Sequence, residues 1–534
     1  MTFDGLGLSS GRASGALFVQ APPTFENRRY SPDEWEQARQ RALRVIDEKA
    51  KIGGVSAEIL DAHRMMLEDP ELTGFVLAAS SESSLLDVLE QAETRFIKPL
   101  EQLADDYFNA RAQDVREVLD EWSRFLSKSA EDMTRLRHPA IVAGERISTE
   151  WFLSQDPDMV RGIVIVHGTS TMHLAIVARN LAIPVIRVAE EVFAKVRQAR
   201  WVSLDADRGT LEVLSTPTII TNPQEATGVT SEVSRSQVTY QGEKVEVRAN
   251  VGSNLEVKRA VAFGADGIGL FRTELSFVTG ERDVYSVRDH ADIYREAVDL
   301  MRGLPLTIRA LDIGADKTVA RVAMAQEPNP QLGKRGIRYL QSNPDIFRAQ
   351  LEGIRRAGDG RNLELMFPMI SEPSEWAFAR NTVRDVFRMY DGELSLGVML
   401  EVPCAGLFLP ELVTAGLDFI SIGTNDLTQY LVARDREADW NLKSEILPVL
   451  RFMHMVLSSV RVRVSVCGEL GGNPLLTPLL LAMGVREFSV SLPMIVPVKN
   501  RIAQCRDVDP QSVLSLLWEC HSDEELLHRL KGIT

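Results

Sequence analysis

A histidine and a scatter of strand-end charges carry the chemistry this chain could do. His173 follows a β-branched apolar run, Ile163 to Val166, and a small-residue turn holding Gly168, Thr169, Ser170 and Thr171. From His173 onward Ile176, Val177 and Leu181 are spaced as one helical face, and Pro184 marks the end of the pattern. An imidazole at a helix N-terminus is kept neutral by the dipole and the unpaired N–H groups, and the same end attracts anions. A neutral imidazole is a nucleophile, and the anion it could carry is a phosphoryl group. His167, before the turn, is a second candidate nucleophile; an ordinary capping-region histidine is the plain structural alternative.

Farther along, functional side chains recur where apolar runs end. Arg272 sits in LFRTE, Arg309 in TIRALDIG, Glu401 in MLEVP, Asn425 and Asp426 in IGTND, and Cys467 in VCGEL. Arg335 lies in NPQLGKRGIR and Arg436 in ARDR. Arginine offers a planar fork to phosphate and carboxylate. Two separated carboxylates, Glu401 and Asp426, suit Mg²⁺, which takes few protein ligands and fills its shell with water and substrate oxygens. The thiol of Cys467 could give a proton to a carbanion or enolate. Such a mouth fits a small, multiply anionic ligand bridged by magnesium. With a histidine on another domain it suggests phosphoryl transfer, where a protein mostly positions reactants and neutralises charge.

The elements that must position these groups follow from pattern. Eight β-like runs alternate with helical ones: 244–251, 267–272, 306–311, 363–369, 394–401, 417–423, 462–467 and 487–492. That predicts a (β/α)8 barrel over 244–534, a fold whose chemistry sits in the loops after its strands. At the other end, residues 5–20 read as a Gly/Ser turn running into a short strand. Ser31-Pro32-Asp33-Glu34 is a helix start with a capping box, and Trp35, Ala38, Ala42 and Val45 mark one face of that helix. Further helical patterns over 56–68, 71–79, 84–108 and 110–127 predict a helical subdomain at 31–138. It is inserted in an α/β domain made of 1–30 and 139–214. The polar stretch broken by Pro217, Pro223 and Gly228 predicts a linker over 215–243.

Composition bounds the function classes. A net charge of −15 argues against broad nucleic-acid binding. No apolar run reaches the ~18 residues of a membrane span, and the first ten residues lack the pattern of an export signal. Cys404, Cys467, Cys505 and Cys520 have no metal-ligand spacing, and their small number fits a reducing cytoplasm.

At this point the residues resemble a family. GADGIGLFRTE (264–274), NPQLGKRGIR (329–338), EVP (401–403), IGTNDLTQY (422–430) and CGELGGNPLLTPLLL (467–481) are similar, in order, to enzyme I of the bacterial phosphotransferase system. HLAIVARNLAIP (173–184) resembles that family's phosphohistidine motif. HRMMLEDPEL (63–72) and ARAQDVREV (110–118) resemble its carrier-docking helices. The resemblance implies autophosphorylation of His173 by phosphoenolpyruvate, release of pyruvate, and transfer to an HPr-like phosphocarrier protein. It implies that Glu401 and Asp426 hold Mg²⁺, that Arg272, Arg309, Arg335, Asn425 and Arg436 grip the substrate, and that Cys467 protonates the enolate. It also implies a homodimer through the barrel. Thr169 and Met172 replace a glycine and a serine of the family's turn. A regulatory, nitrogen-type paralogue and a ligand-binding regulator with weak turnover remain alternative readings.

Overall fold

The computed structural model describes residues 2–9, 11–20, 27–52, 57–101, 111–112, 115–116, 118–120, 122–123, 125–126, 135–145, 147, 151–152, 155–167, 173–216, 237–278, 282–314, 329–434 and 445–533. The chain divides into two compact units, Met1–Gly228 and Val229–Thr534.

In the first unit seven strands close a small barrel: β1 (Thr2–Ser9), β2 (Arg12–Val19), β3 (Ala140–Gly144), β4 (Val160–Ile165), β5 (Val185–Val188), β6 (Trp201–Asp205) and β7 (Thr210–Leu214). Their order is β1-β5-β4-β3-β2-β6-β7, and β7 pairs back onto β1. The inner run β2-β3-β4-β5 is parallel. Residues 5–9, expected in a turn, belong instead to β1. The reason is close approach: a Cβ on Gly7 would lie 1.9 Å from the Ala206 carbonyl oxygen, and one on Gly5 2.7 Å from that of Arg187. Glycine here lets neighbouring backbone into contact, and does not mark a bend.

Between β2 and β3 lie the helices Pro32–Ile52, Ala57–Glu68, Pro70–Ser80 and Leu85–Ala92, the last continuing through a π-helical turn at Glu93–Ile97. Ser31 and Glu34 form the expected reciprocal cap, Glu34 Oε2 accepting from Ser31 N at 2.8 Å and Ser31 Oγ from Glu34 N at 3.3 Å. Of the expected face, Trp35, Ala38 and Ala42 are buried, with Ile46 continuing the spacing, and the Val45 side chain lies outside the described set. Trp35 meets Trp122 edge to face at 5.5 Å, and the Trp122 indole donates to the Trp35 carbonyl at 2.7 Å. The helix His173–Asn180 stops four residues before Pro184, because Ala182 turns left-handed (φ +50°) and Ile183 N reaches back to Ala178 O at 2.7 Å.

The second unit is a closed barrel of eight parallel strands: β9 (Glu243–Val251), β10 (Ile268–Phe271), β11 (Leu306–Arg309), β12 (Leu363–Phe367), β13 (Leu394–Leu400), β14 (Phe419–Gly423), β15 (Arg463–Cys467) and β16 (Glu487–Val490). β16 pairs β9 and β10 pairs β9, which closes the ring. Each of the eight β-like runs overlaps one strand. The stretch expected as linker contains one further strand at its C-terminal side. The strand β8 (Val238–Tyr240) pairs antiparallel with β9, and the Tyr240 hydroxyl donates to Val508 O at 3.3 Å.

A buried ion cluster ties the N-terminal ends of these strands. Arg248 on β9 meets Glu246 at 2.8 Å, Glu364 on β12 at 2.7 Å and Glu487 on β16 at 3.3 Å; Arg463 on β15 meets Glu364 at 2.6 Å and Glu487 at 3.4 Å. Burial alone would raise Glu364. The guanidiniums of Arg248 and Arg463 and the Thr307 hydroxyl outweigh it, so the carboxyl lies below its ordinary range. A lowered folded value stabilises above that range and is lost as pH falls. Arg248→Met should therefore cost about 3–5 kcal/mol at neutral pH, because it strands buried carboxylates. Urea unfolding should show that deficit narrowing in acid, as the carboxyls take up protons.

Candidate active site

The expected strand-end residues gather along one side of the barrel mouth, on five of the six strands from β10 to β15. Arg272 follows β10, Arg309 ends β11, Glu401 follows β13, Asn425 and Asp426 open the helix Thr424–Val432 after β14, and Cys467 ends β15. Strand register places Gly423 beside Cys467 and Leu400 beside Ile422, so Glu401, the Asn425–Asp426 pair and Cys467 leave neighbouring strands at matching heights.

Charge alternates through this sector. Glu274 accepts from Arg309 Nη2 at 2.9 Å; Arg309 lies 3.5 Å from Asp312; Asp312 takes two bonds from Arg335, from Nε at 3.1 Å and Nη2 at 2.9 Å; Arg335 Nη1 reaches Asp426 at 3.3 Å. Arg335 and Asp312 are wholly buried. Gly336 sits at φ 57°, ψ −131°, a conformation open essentially to glycine, and it lets the chain turn directly behind Arg335. Arg272 is exposed. Its charge pulls the buried Glu256 carboxyl down, yet burial dominates and leaves that group at about 6.

Glu401 is 1% exposed. Its Oε1 accepts the Met369 backbone N–H at 2.7 Å. Met369 is left-handed (φ 62°), a strained conformation for that residue, held where its N–H meets the carboxylate. Among the described residues, two buried polar atoms in this sector lack a partner, Glu401 Oε2 and Arg309 Nε. Burial, then the negative charges of Asp426 and Asp312, push the Glu401 carboxyl well above the usual range, against the pull of Arg309 and Arg335.

Cys467 joins Leu270, Met366, Met399 and Phe419 in a buried apolar cluster. Its Sγ accepts from Ser421 Oγ at 3.2 Å and lies 3.4 Å from the Ile422 carbonyl oxygen. Burial pushes the thiol up to about 11, partly offset by the Ser421 bond, so it holds its proton at neutral pH. Asn425 Oδ1 accepts from Glu469 N at 3.0 Å, tying the β14 and β15 loops.

Arg436 and the turn 168–172 lie outside the described residues. His173 is the first residue of its helix, and its side chain is outside the described set. His167 lines a surface cavity of about 450 Å³ with Arg187 and Glu190, at the ends of β4 and β5. Sequence reasoning gave no role to Asp312, Glu274 or Met369. Asp312 had a signal, an acid three residues past a strand-end arginine. Met369 had none, because it contributes only backbone.

A parallel barrel with a guanidinium-rich mouth, joined to a small α/β unit with a histidine at a helix start, defines a class, the enzymes that use phosphoenolpyruvate. The chain matches the phosphoenolpyruvate-binding domain of such enzymes over 227–507, their mobile domain over 136–209 and their N-terminal domain over 4–111. It is 32% identical over 495 residues to the phosphoenolpyruvate-protein phosphotransferase of Haloferax volcanii, covering 89% of this chain and 87% of that one. A second relative with the same name, from Cupriavidus necator, is 32% identical over 565 residues and 95% of either chain; one from Priestia megaterium is 29% identical over 99% and 98%. The chain belongs to the phosphoenolpyruvate-protein phosphotransferase family.

The thiol gives the site a direct chemical test. Raising a thiol to about 11 leaves about a hundredfold less thiolate at pH 8 than an ordinary one. Iodoacetamide should modify the exposed Cys404 while Cys467 stays intact in the folded protein, as read by peptide mass spectrometry. Equal modification of the two would contradict the buried, protonated thiol.

Proposed function

We propose that this phosphoenolpyruvate-dependent phosphotransferase labels itself on His173 and hands the phosphoryl group to an HPr-like carrier, releasing pyruvate. The observation that carries the reading is the convergence of Arg309, Arg335, Glu401, Asp426 and a protonated Cys467 in one sector of one mouth. Arg272, Arg309, Arg335 and Arg436, with Asn425, would bind the substrate's phosphate and carboxylate. His173 Nε2 would attack phosphorus as the P–O bond to the enolate breaks, and Cys467 would give its proton to the enolate carbon, leaving a thiolate that regains a proton from water.

Charge balance supports Mg²⁺ at Glu401 and Asp426. Within the described ion-paired series alone, Glu274, Asp312 and Asp426 outnumber Arg309 and Arg335 by one, and no cation bonds Glu401 beside them. A divalent cation held by these carboxylates would offset their repulsion of an anionic substrate, and Glu401 Oε2 is a buried oxygen with no partner among the described residues. No three His, Cys, Asp or Glu side chains form a metal cage among the described residues; two carboxylates leave the remaining positions to water and substrate oxygens. When bound, the ion would neutralise phosphate charge and polarise the enol oxygen.

The remaining assignments follow the same reading. Residues 1–30 and 139–214 would be the phosphohistidine domain, 31–138 the carrier-binding helices, 215–243 the connection and 244–534 the substrate barrel. Met65 and Leu86 are exposed apolar residues on those helices, as a docking surface needs. On the barrel Leu407, Met455 and Trp518 are exposed on helices packed together, which supports a homodimer through that domain. No helix among the described residues is long and apolar enough to cross a membrane, and a cytoplasmic site of action fits the free cysteines.

Incubation with ³²P-labelled phosphoenolpyruvate and Mg²⁺ should give an acid-labile, base-stable phosphoprotein, and His173→Ala should remove it. Label surviving that change would move the nucleophile elsewhere, His167 first. Label that no HPr-like carrier accepts would favour the regulatory reading.

A further inference from the structure

Two helices outside the barrel carry buried polar side chains for which the proposed chemistry has no use. Tyr294 is on the helix Val287–Met301 and Gln350 on the helix Pro344–Gly358, and neither is exposed. The helices touch at Gly353, where a Cβ would lie 2.3 Å from His290 Cβ. Apolar residues could fill that face, whereas a buried carboxamide and phenol are costly unless bonded.

Their bonds run to the mouth. Gln350 Oε1 accepts from Leu311 N at 3.0 Å, and its Nε2 donates to Arg309 O at 3.2 Å and to the Tyr294 hydroxyl at 2.9 Å. The phenol oxygen, already accepting from Gln350, lies 2.8 Å from Thr273 Oγ1, a hydrogen bond in which either hydroxyl can be the donor. Thr273 stands between Arg272 and Glu274. The Glu274 carboxylate in turn holds Arg309 Nη2 at 2.9 Å and Asp312 N at 2.8 Å. The circuit is closed: the Arg309 backbone is fixed through Gln350, its guanidinium through Glu274, and Tyr294 and Thr273 link the two supports. His290, 4.5 Å from Phe277 and parallel to the Tyr294 ring at 6.1 Å, packs beside the phenol.

We propose that Gln350, Tyr294 and Thr273 form a buried relay that aims the Arg272 and Arg309 loops as one unit. Tyr294 and Gln350 are then positioning residues for phosphoenolpyruvate binding, a role that rests on the function proposed above. Neither side chain needs to touch the ligand. The relay fixes the guanidinium fork before substrate arrives, and a fork free to swing binds the phosphate more weakly.

Tyr294→Phe keeps the ring and removes the link. It should raise the KM for phosphoenolpyruvate about tenfold with kcat within about twofold, since the lost interaction serves ground state and transition state alike. Thr273→Val should do the same, Thr273→Ser should restore the wild-type KM, and the Tyr294→Phe/Thr273→Val pair should be no worse than Tyr294→Phe alone. A merely structural role would lower the active fraction, and so the apparent kcat, with KM unchanged; that result, or additive effects, overturns the proposal. Hydrogen exchange needs no substrate: in Tyr294→Phe the 309–313 segment should exchange about tenfold faster, with β13 and β14 unaltered. Unchanged exchange there sinks the relay even if activity falls. If wild-type protein releases no pyruvate from phosphoenolpyruvate, the proposed function and the positioning role fail together, while exchange still decides whether the loops are coupled.

Discussion

One buried carboxylate makes the mouth of this barrel possible. Asp312 has no contact with solvent, and a lone ionised group there would be too costly to keep charged. It is tolerable because Arg335 grips it with two bonds while Arg309 lies alongside. The dependence is mutual, since two guanidiniums brought that close would repel one another without an anion between them. Glu274 and Asp426 then cap the outer sides of the two arginines. The alternating series fixes both forks in a region of low dielectric, where their attraction for an anionic ligand is strongest.

The same barrel carries a second charged cluster, and the difference between them separates stability from function. At the N-terminal ends of the strands every carboxylate, Glu246, Glu364 and Glu487, is bonded by at least one cation. At the C-terminal ends Glu401 has, among the described residues, a single backbone N–H and an oxygen with no partner. A network built for stability has little reason to leave a buried carboxylate oxygen bare, and its neighbours make the group resist ionisation. A site that keeps such an atom is prepared for something that is to arrive, consistent with the rule that chemistry in this fold sits at the strands' C-terminal ends.

Much of this was legible in the sequence, for reasons that also explain what was not. The barrel strands read clearly because strands buried on both faces are near-continuous apolar runs, and a charge at the end of such a run, as at Arg309 or Glu401, stands out. The helix after Ser31 read clearly because its cap is local. Residues 5–9 misled because glycine is ambiguous: the pressure that excludes a Cβ from Gly7 comes from Ala206, far along the chain. β8 was hidden for a related reason, since three residues beside a polar stretch become a strand only once β9 offers an edge. Met369 was beyond reach, because its contribution is a peptide N–H in a strained turn. The Gln350–Tyr294 pair was equally hidden, its residues lying on helices whose apolar periodicity gives no hint that a polar side chain faces inward.

The carboxylates gathered around Glu401 also bear on the kind of acid this sector can contain. A proton donor for an enolate carbon must sit close to the bound ligand, and another ionisable carboxyl there would join Glu401, Asp426 and Asp312 in mutual repulsion. A thiol escapes that conflict. Resting on the apolar layer of Leu270, Met366, Met399 and Phe419, Cys467 is held neutral by the burial that a carboxyl would find costly. Its place is set by the next residue: Gly468 is left-handed at φ +97°, and a Cβ there would come within 2.4 Å of Thr424 Oγ1, the hydroxyl that donates to the Cys467 carbonyl. The turn after β15 therefore packs against the start of the helix carrying Asp426, so the neutral acid and the carboxylate are fixed by one contact.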